Sequence, residues 1–372
     1  MKKIGFIVNP LAGIGGSVAL KGSDGEEIVE RAFELGAVCK SPERAISALK
    51  KLQPLKDKIE IVTCPEEMGE NEAKSCGFLP VVIGSSFQRR TQASDTIHFA
   101  KEMLARNVEM ILFAGGDGTA RDIYDAVGTE LPVVGIPAGT KMHSGIYATS
   151  PEDAGELAFL YLSGKQLKVK ELEVMDIDEE AFRRGVVKAK LYGYLKIPDA
   201  PNFTQGTKGG GHQADDQFYL KGIAERIVTE MEQDIFYLVG SGTTCRAIME
   251  KMGLENTLLG VDVVLNKKLV MKDVTEHQLL ELLEQGKQSK IIVTPIGGQG
   301  YIFGRGNQQL SSRVIRKVGI KNVLVIATPS KIQSLPQHRL HVDTGEKEVD
   351  SMLKGAVRVI SALNEVAVLE IV

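Results

Sequence analysis

The chain has 372 residues, more than one hydrophobic core ordinarily organises, so two domains are expected. Hydrophobic residues at 43% and charged residues at 25% exclude a chain disordered throughout. A formal charge of −3 argues against a general binder of nucleic acid or of an anionic membrane, which needs a net basic field.

Residues 3–8 read as a buried strand, and Asn9-Pro10-Leu11-Ala12-Gly13-Ile14-Gly15-Gly16 follows as a loop. A strand feeding a glycine-rich turn opens many α/β domains. Residues 41–53 begin with Ser41 as an N-cap and Pro42 at the first helical position, then take helical spacing. A strand is expected at 59–63, a helix at 93–106 and a strand at 110–114. Then come Gly115-Gly116-Asp117-Gly118-Thr119 and a helix through Val127. The strand 132–136 ends in Pro137-Ala138-Gly139-Thr140. This strand–loop–helix order predicts a parallel, doubly wound sheet.

Past residue 165 the pattern turns extended, over 168–178 and 185–197. Residues 198–216 hold Gly209-Gly210-Gly211 and read as a surface loop, or as a lid. Helical pattern returns at 217–232. The strand 235–239 leads into Gly240-Ser241-Gly242-Thr243-Thr244 and a helix to about 252. Strands are expected at 257–265, 290–294 and 321–327, a helix at 347–362 and a last strand at 365–371. The second half is thus mixed α and β, with no repeat of fixed period.

Cys39, Cys64, Cys76 and Cys245 form no CxxC pair, so neither a zinc cage nor a disulfide framework is expected, and a reducing cytoplasm fits. No apolar run is long enough to span a bilayer, and the N-terminal apolar stretch is too short for a signal peptide.

The strongest chemical signal is Gly115-Gly116-Asp117-Gly118-Thr119. It stands between a strand and a helix, where α/β sheets bind ligands. Glycine lets backbone approach phosphate oxygens, and a helix start offers free N–H groups to an anion. A carboxylate beside phosphates repels them unless a metal ion or a reacting hydroxyl intervenes. Asp117 is therefore a candidate to hold Mg²⁺ or to take a proton from an attacking hydroxyl; an N-cap role is the plainer alternative. Gly240 to Thr244 also open a helix after a strand and suit phosphate or ribose, with an N-cap threonine as the alternative. Arg305 lies between Gly304 and Gly306, before Asn307; it suits bidentate phosphate binding or a solvated turn. Lys141 can neutralise phosphate charge, and His143 can bond a ribose hydroxyl or act as acid or base. Asp122 and Asp125 follow at helical spacing; Asp122 is a candidate to reach a metal, and a solvated face is the plainer reading. His338, His341 and Asp343 alternate along an expected strand without forming a metal triad.

Gly115-Gly116-Asp117-Gly118-Thr119 resembles the signature of the NAD kinase, diacylglycerol kinase and sphingosine kinase superfamily. Asn9-Pro10-Leu11-Ala12-Gly13 is similar to its first phosphate-binding loop, and Pro137-Ala138-Gly139-Thr140 to its third segment. Later stretches, Ile136 to Ser144, Val239 to Thr244 and Gly304 to Gln309, resemble the ATP-NAD kinase subgroup that includes AcoX-like proteins. The resemblance implies a Rossmann-like α/β domain over 1–165 and a β-rich α+β domain over 166–345 that completes the active site. A C-terminal helix and strand over 346–372 would return to the first domain. It implies ATP with Mg²⁺ as donor, NAD as the acceptor substrate and Asp117 as the base for its ribose 2′-hydroxyl. Asn9, Pro10, Gly13, Gly115, Gly116, Gly118, Thr119, Gly139, Thr140, Lys141, Gly240 to Thr244, Arg305 and Asn307 would bind the nucleotides. No metal ligand is assigned among the side chains. A cytoplasmic homodimer or higher oligomer acting on small-molecule nucleotides is expected, with neither nucleic acid nor membrane as partner.

The chain departs from the NAD kinase pattern in two places. The Asn-Glu or Asn-Asp pair of those enzymes is not matched: Met175 to Glu180 is the nearest candidate by position but has different letters, and Asn364-Glu365 has the letters but lies near the C-terminus. Val239 to Thr244 stands nearest to their Thr-x-x-Gly-Ser-Thr-Ala-Tyr segment. Other readings are a kinase for a different small or lipid hydroxyl, and a non-catalytic nucleotide-binding protein linked to acetoin-type catabolism. A nicotinamide dehydrogenase is disfavoured, because residues 9–16 do not form GxGxxG.

Overall fold

Continuous apolar runs become strands covered on both faces. Ile4, Phe6, Ile7 and Val8 are fully enclosed in β1 (Lys2–Val8), as is the whole of β4 (Met110–Gly115). The computed structural model describes residues 1–20, 25–86, 90–140, 142–165, 167–177, 189–200, 203, 213–296 and 300–372. Its contacts divide into two units. The first is Met1–Ile14 with Gly22–Gln205; the second is Gly15–Lys21 with Gly206–Val372.

In the first unit, β1, β2 (Ile59–Thr63), β3 (Val81–Val82), β4 and β5 (Val133–Pro137) form a parallel sheet in the order β3-β2-β1-β4-β5. The chain builds outward from β1 in one direction and from β4 in the other. The carboxyl ends of β1 and β4 are therefore the switch point of the sheet, the usual ligand position in such folds. The α-helices of this unit are α1 (Glu26–Glu34), α2 (Ser41–Leu49), α3 (Glu70–Ser75), α4 (Ala93–Ala105), α5 (Asp117–Val127) and α6 (Pro151–Leu162). Ser41 is the first helical residue of α2 and Lys40 its cap, which corrects the expected N-cap. At α6 the cap is regular: Ser150 accepts the Asp153 amide, and Pro151 follows.

The first unit runs past residue 165 because an antiparallel ribbon, β6 (Val169–Ile177) and β7 (Ala189–Pro198), belongs to it. Its register slips once: Val174 opposes Gly193 and Met175 opposes Leu191, leaving Tyr192 as a bulge. The bulge lies on α5. A Cβ on Gly193 would stand 2.4 Å from the Tyr124 ring. The Tyr192 hydroxyl donates to Asp125, at 2.9 and 3.0 Å from its two oxygens. Asp125 thus anchors the ribbon rather than facing solvent alone.

The second unit is built on a mixed sheet. Its strands are β8 (Phe236–Val239), β9 (Asp262–Leu265), β10 (Lys268–Met271), β11 (Ser289–Val293), β12 (Tyr301–Phe303), β13 (Val323–Ile326), β14 (Arg339–Val342), β15 (Gly355–Ile360) and β16 (Val366–Ile371). The order is β10-β9-β8-β11-β13-β15-β16-β14-β12. Side chains alternate between two cores with period two. Ile291, Val293, Val325 and Val359 enter one core; Ile292, Ile326 and Ile360 enter the other. The second core also takes Ile223 and Ile227 from α7 (Gln213–Glu230) and Ile248 from α8 (Thr243–Lys251). The sheet curls back on itself, because Ile296, just past β11, bridges Tyr301 in β12 at the far end of the order. The other helices of this unit are α9 (Glu276–Leu283), α10 (Ser312–Val318), α11 (Pro329–Gln333) and α12 (Lys347–Leu353).

The helix expected over 347–362 is corrected. It ends at Leu353; Gly355, at φ 115°, turns the chain, and 355–360 is a strand paired with β16. Residues 346–372 lie wholly in the second unit. His338 lies in a short 3₁₀ turn before β14, not in the strand that holds His341. Among the described residues no helix is long and apolar enough to cross a membrane.

Candidate functional site

Three loops leave the carboxyl ends of β1, β4 and β5 and hold one another. After β1, the Asn9 amide donates to the Ala114 carbonyl at 2.9 Å. The Asn9 side chain accepts the Leu11 amide at 3.1 Å and donates to Thr119 Oγ1 at 3.0 Å. One residue closes its own turn and ties it to the first turn of α5. Pro10 follows in the turn, buried. Gly13 has φ 74°, and a Cβ there would fall 2.2 Å from the Ala138 carbonyl oxygen of the third loop.

The second loop is Gly115 to Thr119. A Cβ on Gly115 would sit 2.4 Å from the Thr119 side chain, which is itself buried. The Gly115 carbonyl accepts the amides of Ala138 and Gly139 at 2.9 and 3.0 Å. Gly116 and Gly139 meet backbone to backbone: a Cβ on Gly139 would lie 2.7 Å from the Gly116 Cα. The Tyr147 hydroxyl donates to the Gly116 carbonyl at 2.5 Å, and Arg44 Nη1 donates to the Pro137 carbonyl at 2.9 Å. Gly116 is the N-cap of α5 and supplies no side-chain acceptor. Gly118 and Thr119 follow within the first turn, so the helix start keeps backbone donors and its positive dipole end.

Asp117 is the first residue of α5, not its cap. Its carboxylate reaches the loop after β5. Oδ2 accepts the His143 amide at 2.7 Å, and Oδ1 accepts the Ser144 amide at 3.1 Å. Burial pushes this carboxyl above the usual aspartate range. The Ser144 hydroxyl, the two amides and the Arg121 charge pull it back down. His143 thus contributes its backbone. Thr140 lies in the same loop, half-buried, and Lys141 lies outside the described residues.

In the second unit, Gly240 to Thr244 lead from β8 into α8. Gly242 caps the helix at φ 111° without a side-chain bond, Thr243 is the first helical residue and Thr244 is buried. Ser241 Oγ donates to the Gly306 carbonyl at 2.9 Å, so this loop packs on the Gly304-Arg305-Gly306-Asn307 turn. Arg305 is 3% exposed. Its Nε donates to Asp343 at 3.3 Å, and its guanidinium lies 4.2 Å over the Tyr301 ring. Asn307 accepts the Gly304 amide and donates to the Ile302 carbonyl. Both side chains, expected at a phosphate, brace their own turn.

Sequence reasoning passed over Arg44, Ser144, Tyr147 and Lys331. Lys331 Nζ donates to Thr294 Oγ1 at 3.2 Å, beyond the carboxyl ends of β13 and β11. Burial lowers its ammonium to about 8, with Cys245 and Asp216 opposing. No local pattern marks these residues, since each acquires its partner from a distant element. Residues 178–180 and nearly all of 201–212 lie outside the described residues, so the expected acceptor motif and the lid reading fall there.

Among the described residues no three His, Cys, Asp or Glu side chains stand together as a metal site.

Two family models match this chain. The ATP-NAD kinase N-terminal domain covers residues 4–165, and the ATP-NAD kinase C-terminal domain covers residues 232–371. Two solved structures from Bacillus anthracis str. Sterne, both assigned as diacylglycerol kinases, are also similar. One is 18% identical, covering 48% of this chain and 45% of its own, with a TM-score of 0.25. The other is 19% identical, covering 48% and 46%, with a TM-score of 0.23. The match therefore spans under half the length of either structure. No curated protein matches.

Proposed function

Since the chain belongs to the ATP-NAD kinase family, we propose that it transfers the γ-phosphoryl group of ATP to the ribose 2′-hydroxyl of NAD. The observation that carries this reading is Asp117. It opens α5 at the switch point of a parallel sheet, among three loops whose glycines let them close on one another around the start of that helix.

The 2′-oxygen attacks the γ-phosphorus, and the bond from that phosphorus to the β,γ-bridging oxygen breaks. The hydroxyl proton passes to the Asp117 carboxylate, and ADP leaves. Phosphoryl transfer asks little covalent chemistry of a protein; positioning and charge balance dominate. The amide donors at the start of α5 and the backbone of the Asn9 and Gly139 loops serve that need. Two amides fix the direction in which Asp117 presents its lone pairs. Mg²⁺ carried by the nucleotide would supply charge neutralisation, and no step requires a side-chain ligand to it.

The test is NADP formation by the purified full-length chain with ATP, Mg²⁺ and NAD. Asp117→Asn should lower the rate by about 10²- to 10⁴-fold, the usual range for a general base, while ATP still binds. Binding of ATP without NADP formation by the unaltered chain would overturn NAD as acceptor. Other hydroxyl compounds would then be screened.

A further inference from the structure

The second unit holds a cation that the transfer from ATP to NAD does not use. Lys331 lies in α11, just after β13, and is half-buried. Its Nζ donates to Thr294 Oγ1 at 3.2 Å, and Thr294, itself buried, follows β11. An ammonium has three protons to place. Among the described residues one hydrogen-bond acceptor meets them, and no carboxylate stands in ion-pair contact. Asp216 acts on this lysine from a distance, but its carboxylate accepts the Ser330 hydroxyl. The Cys245 thiol is the other titratable group that acts on it.

Thr294 joins this lysine to a second set of donors. Gly242, after β8, has φ 111°, and a Cβ there would stand 3.0 Å from Thr294 Cγ2. The threonine therefore turns its methyl to Gly242 and its hydroxyl to Lys331. Gly242 is the N-cap of α8 and makes no side-chain bond. Such a helix start leaves its first amides open, here those of Thr243 and Thr244, at the positive end of the dipole. β8, β11 and β13 are neighbouring parallel strands, so the three loops that follow them share one carboxyl edge, where α/β sheets bind ligands. A cation and a positive helix end on the same edge repel one another, and one anion between them relieves both. Burial without such a counterion agrees with the lowered ammonium.

We propose that this edge of the second unit binds a phosphate group, with Lys331 as its cation and the Thr243 and Thr244 amides and the Thr294 hydroxyl as its other donors. Donors that arrive from three loops suit the tetrahedral oxygens of a phosphate, and lysine serves there as a point charge. The glycine loop is readable in the sequence; Lys331 and Thr294 come to it from two other loops. The proposal stands apart from Asp117, which belongs to the first unit.

The experiment is a titration of the full-length chain, labelled with ¹⁵N-threonine, with inorganic phosphate, followed by NMR. The Thr243 and Thr244 amide signals are assigned by their loss in Thr243→Ser and Thr244→Ser. Both should shift to saturation, and Lys331→Met should weaken the binding by about ten- to a hundredfold, the loss expected for a charged hydrogen-bond donor. Competition by ATP, NAD or NADP at these two signals assigns the phosphate to that nucleotide. Binding without competition assigns it to another phosphorylated small molecule. Threonine amides unmoved by millimolar phosphate and by all three nucleotides in the unaltered chain overturn the proposal, and so does binding of equal strength in Lys331→Met. NADP formation is not read, so failure of the kinase reading leaves this result standing.

Discussion

Gly116 and Gly139 each lack the one atom that would separate their loops. A Cβ on Gly139 would stand 2.7 Å from backbone, which cannot swing aside as a side chain can. Gly139→Ala is expected to push the third loop away from α5 and weaken ATP binding by about tenfold or more, with stability down by roughly 1–3 kcal/mol. Calorimetric titration with ATP and a thermal melt check the two parts separately. An unchanged affinity would mean that the close approach serves packing alone. These glycines were legible from sequence because each stands in a short motif of its own. Ser144 was not, since its partners Asp117 and Met175 lie 27 and 31 positions away. Arg305 likewise has a partner that no local pattern shows: its glycine neighbours suggest a phosphate, and Asp343, 38 positions on, accepts from its Nε.

Among the elements, α3 carries an ionisable group in an unusual setting. Glu72 is buried, and one of its carboxylate oxygens has no hydrogen-bond partner. Burial raises its carboxyl from the usual 4.5 to about 7; the Glu67 charge adds to this, and its own amide and that of Gly69 oppose it. The folded value lies above the unfolded one. The stability tied to Glu72 is therefore fully present below about 4.5 and is lost as pH rises through about 7. The difference is worth on the order of 3 kcal/mol. Melting of the unaltered chain should drop between pH 5 and 8, and Glu72→Gln should flatten that slope and be the more stable form at pH 8. Parallel pH curves for the two would refute the assignment. At this scale β1, β2, β4 and β5 were legible to within a residue or two, because parallel strands covered on both faces are unbroken apolar runs, whereas the two-residue β3 left no pattern. The stretch 347–362 misled because Val349, Leu353, Val357 and Ile360 keep helical spacing while Gly355 breaks the helix. Short strands such as β12 and β14 left no pattern long enough to read.

For the whole molecule, each unit owns its buried cores: one in the first, two in the second. Calorimetry is expected to resolve more than one unfolding transition, and Glu72→Gln should move only one of them. A single transition whose calorimetric and van't Hoff enthalpies agree would contradict this. The units do not, however, follow one another along the chain. Gly15–Lys21 belongs with the second unit although it is synthesised straight after β1. There the Ser17 carbonyl accepts the Glu276 amide at 3.2 Å, and Gly16 leaves room for the Gln308 side chain, which would press within 3.0 Å of a Cβ. In genetic terms the two halves are not interchangeable parts. A single crossover after Gln205 would deliver a second unit stripped of its own opening segment, and would leave that segment behind, without its host, in the first. An exchange of the second unit for a homologous one has to carry two stretches of the chain at once, 15–21 and 206–372.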